Sequence, residues 1–137
     1  MIDMKIEFND DKIVIYYYDK KLNINDINNL NNEIKKLIIK LIKKYHISLG
    51  YYKVTIYNNE YYGNILEIKK IYENNYQETI DLKIVVFKDV TMYFEFDDNY
   101  FDLANKNIFY KNGKYYININ KNINIIDYLE YGRVIYS

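Results

Sequence analysis

The sequence predicts a single α+β domain over residues 1–137, in which one long helix packs on one face of a curved antiparallel sheet. Two alternating segments stand near the N-terminus, and a long segment with helical spacing follows them. The remaining residues alternate in short segments separated by turn residues. The predicted order is therefore a hairpin, one long helix and a β-meander, without a linker, a repeat or a second domain.

The N-terminal hairpin determines which side chains share a face of the sheet. In MKIEFNDDKIVIYYY, a two-residue turn at Asp10-Asp11 sets the register. The predicted pairs are Phe8 with Ile13, Ile6 with Ile15, and Met4 with Tyr17, all on the core face. The opposite face carries Lys5, Glu7, Val14, Tyr16 and Tyr18. Of the three consecutive tyrosines, Tyr17 is thus predicted to be buried, and Tyr16 and Tyr18 to point away from the core.

The long helix is predicted within NINDINNLNNEIKKLIIKLIKKYHISLG, residues 23–50. Its apolar stripe recurs at three- and four-residue intervals: Ile27, Leu30, Ile34, Leu37, Leu41 and Tyr45, widened by Ile38 and Ile42. Asn23 or Asn25 is the expected N-cap, with Asp26 at the helix start. Lys43, Lys44 and His46 suit the negative end of the helix dipole, and Gly50 is the expected stop.

Three further hairpins are predicted after the helix. The first turns at Asn58-Asn59 and needs a bulge or bend near residues 63–66, because the apolar residues change parity there. The second turns at residues 88–90, between two alternating segments. The third has Asn112-Gly113 as a type I′ turn, with Tyr110 opposite Tyr115. NIIDYLEYGRVIY is expected to form a short helix and a last strand.

The composition limits the classes of protein to which the chain can belong. Half of the residues are apolar and 19 basic residues balance 19 acidic ones, which indicates a globular chain with no general attraction to nucleic acid or anionic membranes. Ile, Asn, Lys and Tyr make up more than half of the chain, which indicates an AT-rich genome, viral or microbial. The N-terminus lacks the apolar region of a signal peptide and no apolar run is long enough to span a membrane. The expectation is an intracellular, cytoplasmic protein without a membrane partner.

The chain lacks the residues that several kinds of catalysis require. The chain has no cysteine, and its serines, Ser48 and Ser137, have only His46 as a histidine base. His46 itself is expected to be a cation at the helix end. A zinc site is not expected, because the chain has no cysteine and one histidine, and its four scattered glycines form no phosphate-binding loop. The sequence therefore predicts no cofactor and no catalytic residue.

Two groups of acidic residues are open to a second interpretation. Glu95, Asp97, Asp98 and Asp102 could hold Mg²⁺ or Ca²⁺, but a solvated turn is favoured. Glu67-Lys69 and Asp81-Lys83, placed on neighbouring strands, follow the pattern of metal-dependent nucleases, although such triplets arise by chance in a lysine-rich chain. The helix lysines Lys36, Lys40, Lys43 and Lys44 form a basic stripe, for which a solvated face is favoured over phosphate contact.

The leading functional hypothesis is a non-enzymatic protein-binding module that uses a tyrosine-bearing sheet face. That face is predicted to carry Tyr16, Tyr18, Tyr51, Lys53, Thr55, Tyr57, Tyr93 and Tyr116. Arg133, the one arginine, could offer its planar fork to a carboxylate, with an internal ion pair as the favoured alternative. The partner is another protein or a second copy in a homodimer, as for a small inhibitor or regulator encoded by a virus or mobile element. The alternatives are a binder of nucleotides or single-stranded nucleic acid and, third, a metal-dependent nuclease.

Overall fold

The computed structural model of the chain describes residues 4–9, 11–18, 22–47, 50–73, 80–97, 108–121 and 132–136. These residues form one helix and nine strands in two sheets, so the fold is α+β as predicted. The chain divides into two compact units, one of residues 1–58 and 63–87 and one of residues 59–62 and 88–137. The single domain over the whole chain stays a prediction.

The first unit is a five-stranded sheet covered on one face by the helix. Its elements are β1 (Met4–Phe8), β2 (Lys12–Tyr18), α1 (Ile27–Tyr45), β3 (Gly50–Asn59), β4 (Gly63–Glu73) and β5 (Asp81–Phe87). The strands lie in the order β1-β2-β4-β3-β5. The core between helix and sheet contains Ile15, Tyr17, Leu30, Ile34, Ile38, Leu41, Tyr52, Val54, Ile56, Leu66 and Ile68. In the described part of the chain, no helix is both long and apolar enough to cross a membrane.

The β1–β2 register is confirmed at every predicted pair: Met4 with Tyr17, Ile6 with Ile15, and Phe8 with Ile13. Asp10 lies outside the described residues, but the amide of Asn9 donates to the carbonyl of Lys12 at 2.9 Å, as a tight turn requires. Tyr17 is 8 % exposed and belongs to the core, as predicted. Alternation along one strand was thus enough to separate Tyr17 from its two neighbours.

The β3–β4 turn differs from the prediction. It occupies residues 60–62 instead of Asn58-Asn59. Because the turn has three residues instead of two, Leu66 and Ile68 lie on the core face and Ile65 on the opposite face, which removes the parity change. The predicted bulge or bend is therefore not required, and on the edge of β4 that faces β2 the pairing runs without interruption from Lys12–Lys69 to Tyr18–Gly63.

The predicted meander is also interrupted at β5. Because β4 lies between β2 and β3, neither edge of β4 is free for a β4–β5 hairpin. β5 joins the sheet at β3 instead and runs parallel to it, with Tyr52 opposite Leu82 and Val54 opposite Ile84. The β5–β6 hairpin at residues 88–90 is wrong as well, because the next strand lies in the other sheet.

The helix begins and ends on residues other than those expected. Asp26 is the N-cap, in place of Asn23 or Asn25, and its side chain accepts from the amide of Asn29 at 3.2 Å. Gly50 begins β3. His46 is the C-terminal cap, in the left-handed conformation with φ 57°, and its amide donates to the carbonyl of Ile42 at 3.0 Å.

The His46→Gly substitution is expected to raise the free energy of unfolding by about 0.5–1 kcal/mol, because glycine adopts the left-handed conformation without the steric cost of a Cβ. Urea denaturation followed by circular dichroism measures the change. Lys43→Gly, three residues upstream, is the matched control and should lower stability by about 1 kcal/mol. A loss of stability in both variants would contradict the strain assigned to His46.

The second unit contains a four-stranded sheet. Its strands are β6 (Met92–Phe96), β7 (Ile108–Lys111), β8 (Lys114–Asn118) and β9 (Arg133–Tyr136), in the order β7-β8-β6-β9. One face is buried and carries Met92, Phe94, Phe96, Ile117 and Val134. The β7–β8 hairpin is confirmed: Tyr110 lies opposite Tyr115, and both turn residues have positive φ, 53° at Asn112 and 82° at Gly113. The last strand is confirmed, and the short helix predicted before it falls mostly outside the described residues.

Candidate functional site

The residues predicted to form the tyrosine-bearing face divide between the two sheets. Tyr16, Tyr18, Tyr51, Lys53 and Tyr57 lie in the first sheet, on the face opposite the helix. Tyr93, Tyr116 and Arg133 lie in the second sheet.

The face of the first sheet opposite the helix is buried at its middle strands. Val14 of β2 and Ile65 of β4 lie on this face, since their neighbours in sequence belong to the core under the helix. Val14 is 2 % exposed and Ile65 is 0 % exposed. Both are as inaccessible as the core residues themselves, so this part of the face offers no open surface.

The tyrosines of that face have partners within the first unit. The Tyr16 hydroxyl donates to Oε2 of Glu7 at 3.2 Å, and Nζ of Lys5 lies 5.9 Å from the ring centre. Tyr57 stacks on Phe87 with ring centres 5.5 Å apart, and its hydroxyl lies 3.5 Å from Oε2 of Glu67.

Partial burial, with the nearby Glu67 charge, raises the pKa of the Tyr57 phenol. The phenol is therefore neutral near pH 7 and acts as a donor to the Glu67 carboxylate. Tyr18 and Tyr51 are half-buried, and Lys53 is exposed. Of the predicted site residues in the first sheet, Tyr16 and Tyr57 are thus held in internal contacts.

The second sheet carries an aromatic surface on the face opposite its buried side. Tyr116 of β8 lies directly across from Phe109 of β7, and their rings stack with centres 5.3 Å apart. The ring of Tyr93 on β6 meets Phe109 edge-on at 5.8 Å. Phe109 keeps 46 % of its surface exposed. We call these three residues, Tyr93, Phe109 and Tyr116, the aromatic face.

Charged side chains adjoin the aromatic face. The Tyr116 hydroxyl donates to Oε2 of Glu95 at 2.9 Å. Nζ of Lys114 lies 3.6 Å from Oε1 of Glu95 and 3.0 Å from Oδ1 of Asp97. Arg133 is exposed and lies directly opposite Glu95 in the β6–β9 register, so its cation stands across the strand from a carboxylate.

Two of these groups have shifted pKa values. The hydrogen bond to Glu95 raises the pKa of the Tyr116 phenol, and the hydrogen bond to Asp97, with the charges of both carboxylates, raises the pKa of Lys114. Near pH 7 Tyr116 is therefore a neutral donor and Lys114 a cation.

A cleft of about 350 Å³ opens in the second unit. Its described lining comes from three segments of the chain: Asn59, Glu60 and Tyr61; Asp89, Val90 and Thr91; and Asn118, Ile119 and Asn120. Asn59 connects two of these segments. Its Oδ1 accepts from the amides of Tyr61 and Tyr62, each at 2.9 Å, and its Nδ2 donates to the carbonyl of Val90 at 2.8 Å.

Phe109, Asn59 and the cleft were missed by the reasoning from sequence. Phe109 could have been found, because the Asn112-Gly113 turn sets a register that places Phe109 across from Tyr116. Asn59 gave no usable signal in a chain so rich in asparagine. The cleft depends on segments that are distant in sequence.

The acidic groups of the sequence are not brought together in the described part of the chain. β3 separates β4, which carries Glu67 and Lys69, from β5, which carries Asp81 and Lys83, so the expectation of neighbouring strands is wrong. Glu67 pairs instead with Lys12, whose Nζ lies 3.1 Å from Oε1. Asp98 and Asp102 lie outside the described residues. Within the described ranges, no three His, Cys, Asp or Glu side chains form a group that could hold a metal ion.

The helix lysines Lys36, Lys40, Lys43 and Lys44 are all exposed. They lie on the side of α1 away from the buried residues Leu30, Ile34, Ile38 and Leu41. This is the arrangement expected of a solvated helix face.

No protein-family model, no curated protein and no solved structure matches the chain.

Proposed function

We propose that the chain is a non-enzymatic protein-binding module and that the aromatic face, Tyr93, Phe109 and Tyr116, is its recognition surface. The proposal is carried by one observation: three rings pack on one another on a sheet face while Phe109 stays nearly half exposed. Rings held in place by their neighbours lose little conformational entropy when a partner covers them. They also bring a large apolar area to an interface.

The surroundings of the aromatic face support a protein partner. Protein interfaces combine an aromatic centre with a polar rim, in which arginine is enriched. Glu95, Lys114 and Arg133 supply such a rim with both signs of charge. A partner that binds here would meet apolar surface at the centre and charged groups beside it.

Single-stranded nucleic acid is the second candidate, because the stacked pair of Phe109 and Tyr116 resembles a platform for bases. The charges weigh against it. Nucleic-acid grooves are dominated by unpaired cations. Here Lys114 is already shared by Glu95 and Asp97. Lys111, opposite Lys114, and Arg133 are the further cations on the described part of this face. The two carboxylates would repel a phosphate backbone.

The proposed partner is another protein or a second copy of the chain in a homodimer. Through this surface the chain would act as a small inhibitor or regulator of the protein that it holds. Each possibility has its own readout: self-association changes the sedimentation of the purified chain, and a different partner is captured from the host cell.

The double variant Tyr93→Ser/Phe109→Ser tests the proposal. Since these rings are partly exposed, the melting temperature should change little, while partner binding or dimerisation should weaken by about tenfold or more. Thermal denaturation and analytical ultracentrifugation measure the two effects. A pull-down in which the double variant loses proteins that the unchanged chain retains measures binding to a different partner.

The matched control replaces two aromatic residues of the first sheet, Tyr18→Ser/Tyr51→Ser. This variant should keep the oligomeric state and the captured partner. If the control variant loses binding and Tyr93→Ser/Phe109→Ser keeps it, the recognition surface is on the first sheet and the proposed one is wrong. Affinity for single-stranded nucleic acid that falls steeply with salt would favour the second candidate.

A further inference from the structure

We infer that the cleft of the second unit receives a basic side chain, lysine or arginine, of the protein that covers the aromatic face. This inference rests on the proposed function and specifies the chemistry of the partner. It is carried by the volume of the cleft, the charge of its lining, and the position of its Asn118 opposite Tyr93.

The cleft reaches the aromatic face at one residue, Asn118 of β8. Asn118, which lines the cleft, lies directly opposite Tyr93 in the β6–β8 register. Residues directly opposite one another in antiparallel strands share a face. A peptide segment that covers Tyr93 can therefore place an adjacent side chain in the cleft.

The lining of the cleft selects for positive charge. Glu60 and Asp89 contribute two carboxylates, and none of the nine described lining residues is a lysine, an arginine or a histidine. The side-chain oxygens of Thr91, Asn118 and Asn120 are further acceptors. Phosphates and carboxylates would meet repulsion here, whereas an ammonium or guanidinium group would find charged and neutral acceptors.

The inner surface of the cleft suits the aliphatic part of a long basic side chain. Val90 and Ile119 are both buried and contribute the apolar part of the lining. The methylene stems of lysine and arginine pack on such surface while their charged ends reach polar groups. Tyr61, 41 % exposed, offers a ring that a cation can approach. The volume of about 350 Å³ is within the range of side-chain and small-ligand pockets.

Calcium and magnesium fit the cleft less well. Ca²⁺ takes six to eight oxygen ligands and Mg²⁺ needs octahedral geometry. The two carboxylates here come from separate loop segments and adjoin an apolar surface. An organic cation uses both kinds of surface, and a metal ion uses only the oxygens.

Asn59 acts as a positioning residue for the cleft. Its three hydrogen bonds connect residues 61 and 62 to Val90, so one side chain holds the segments that carry Glu60 and Asp89. Asp89 has φ 54°, a conformation that asparagine adopts as readily as aspartate. Asp89→Asn therefore removes the charge and keeps the backbone.

The test titrates the ¹⁵N-labelled protein with N-acetyl-arginine methylamide and, separately, with the citrulline analogue, which has nearly the same shape and no charge. The arginine compound should shift amide signals of residues 59–61, 89–91 and 118–120, and its affinity should fall at high salt. The citrulline compound should bind at least about tenfold more weakly, since it lacks charge-assisted hydrogen bonds. Equal binding of both compounds, or shifts confined to other residues, overturns the inference.

The double variant Glu60→Gln/Asp89→Asn should weaken binding of the arginine compound by about tenfold or more. The matched control Glu33→Gln/Asp11→Asn removes the same charge outside the cleft and should leave the affinity unchanged. Equal losses in the two variants, or binding of Ca²⁺ without binding of the arginine compound, overturn the inference.

The outcome is separable from that of the proposed function, because the aromatic variants and the partner readout are different. If the arginine compound does not bind in the cleft, the aromatic face is still tested separately by the Tyr93→Ser/Phe109→Ser variant. If that aromatic variant still binds the partner and the arginine compound still binds in the cleft, the proposed function is contradicted. The cation site is then retained.

Discussion

The Asn59→Ala substitution is expected to lower the free energy of unfolding by about 3 kcal/mol, because it removes three hydrogen bonds of a buried side chain. The carbonyl of Val90 and the amides of Tyr61 and Tyr62 lose their side-chain partner at the same time. Leaving such groups unsatisfied costs more than a hydrogen bond contributes on average. Urea denaturation at neutral pH measures the loss.

The neighbouring residue provides the control. Asn58→Ala removes the same kind of side chain, whose Nδ2 donates to Oδ1 of Asn64 at 3.1 Å, and should cost about 1 kcal/mol. Because the two positions are adjacent and chemically identical, unequal losses isolate the network of Asn59. Losses of equal size would contradict the role given to Asn59 in holding the cleft.

The Tyr17→Ser substitution is expected to lower the free energy of unfolding by about 2–4 kcal/mol, because it removes a buried aromatic ring and leaves a cavity. Tyr17→Phe, which keeps the ring, should cost clearly less. The same denaturation experiment compares both variants with the unchanged chain.

Tyr16 and Tyr18 flank Tyr17 and serve as controls of the face assignment. Both are half-buried on the opposite face, and Tyr16→Ser and Tyr18→Ser should each cost clearly less than Tyr17→Ser. Equal losses of stability in the three variants would mean that Tyr17 is no more buried than its neighbours, which would contradict the face assignment.

The β1–β2 and β7–β8 hairpins show which features a local sequence pattern can predict. The pairing of Ile6 with Ile15 and of Tyr110 with Tyr115 was predicted correctly, because alternation and a short turn settle a register between segments a few residues apart. The β3–β4 turn failed because the side chain of Asn59 organises residues 61 and 62. An asparagine pair in the sequence favours a turn but does not say which residues form its corners.

The candidate site was predictable in part for the same reason. Tyr93, Tyr116 and Arg133 were singled out because tyrosines on a polar strand face and an isolated arginine are visible in the sequence. Their separation from Tyr16 and Tyr57 was not visible, because it follows from the division of the strands between two sheets. The cleft was out of reach, since its lining joins residues 59–61, 89–91 and 118–120.

By itself the sequence determined the α+β class, the helix and the middle of its buried stripe, the registers of the β1–β2 and β7–β8 hairpins, and the burial of Tyr17. The predicted ends of the stripe, Ile27 and Tyr45, are exposed. These features depend on side-chain periodicity and on turns between residues that are close along the chain. Only the tertiary structure decided that β2 pairs with β4, that β5 runs parallel to β3, and that the later strands form a second sheet. Strand edges are chemically alike, so the choice between distant partners depends on which apolar faces can be buried together, and that is a property of the whole folded chain.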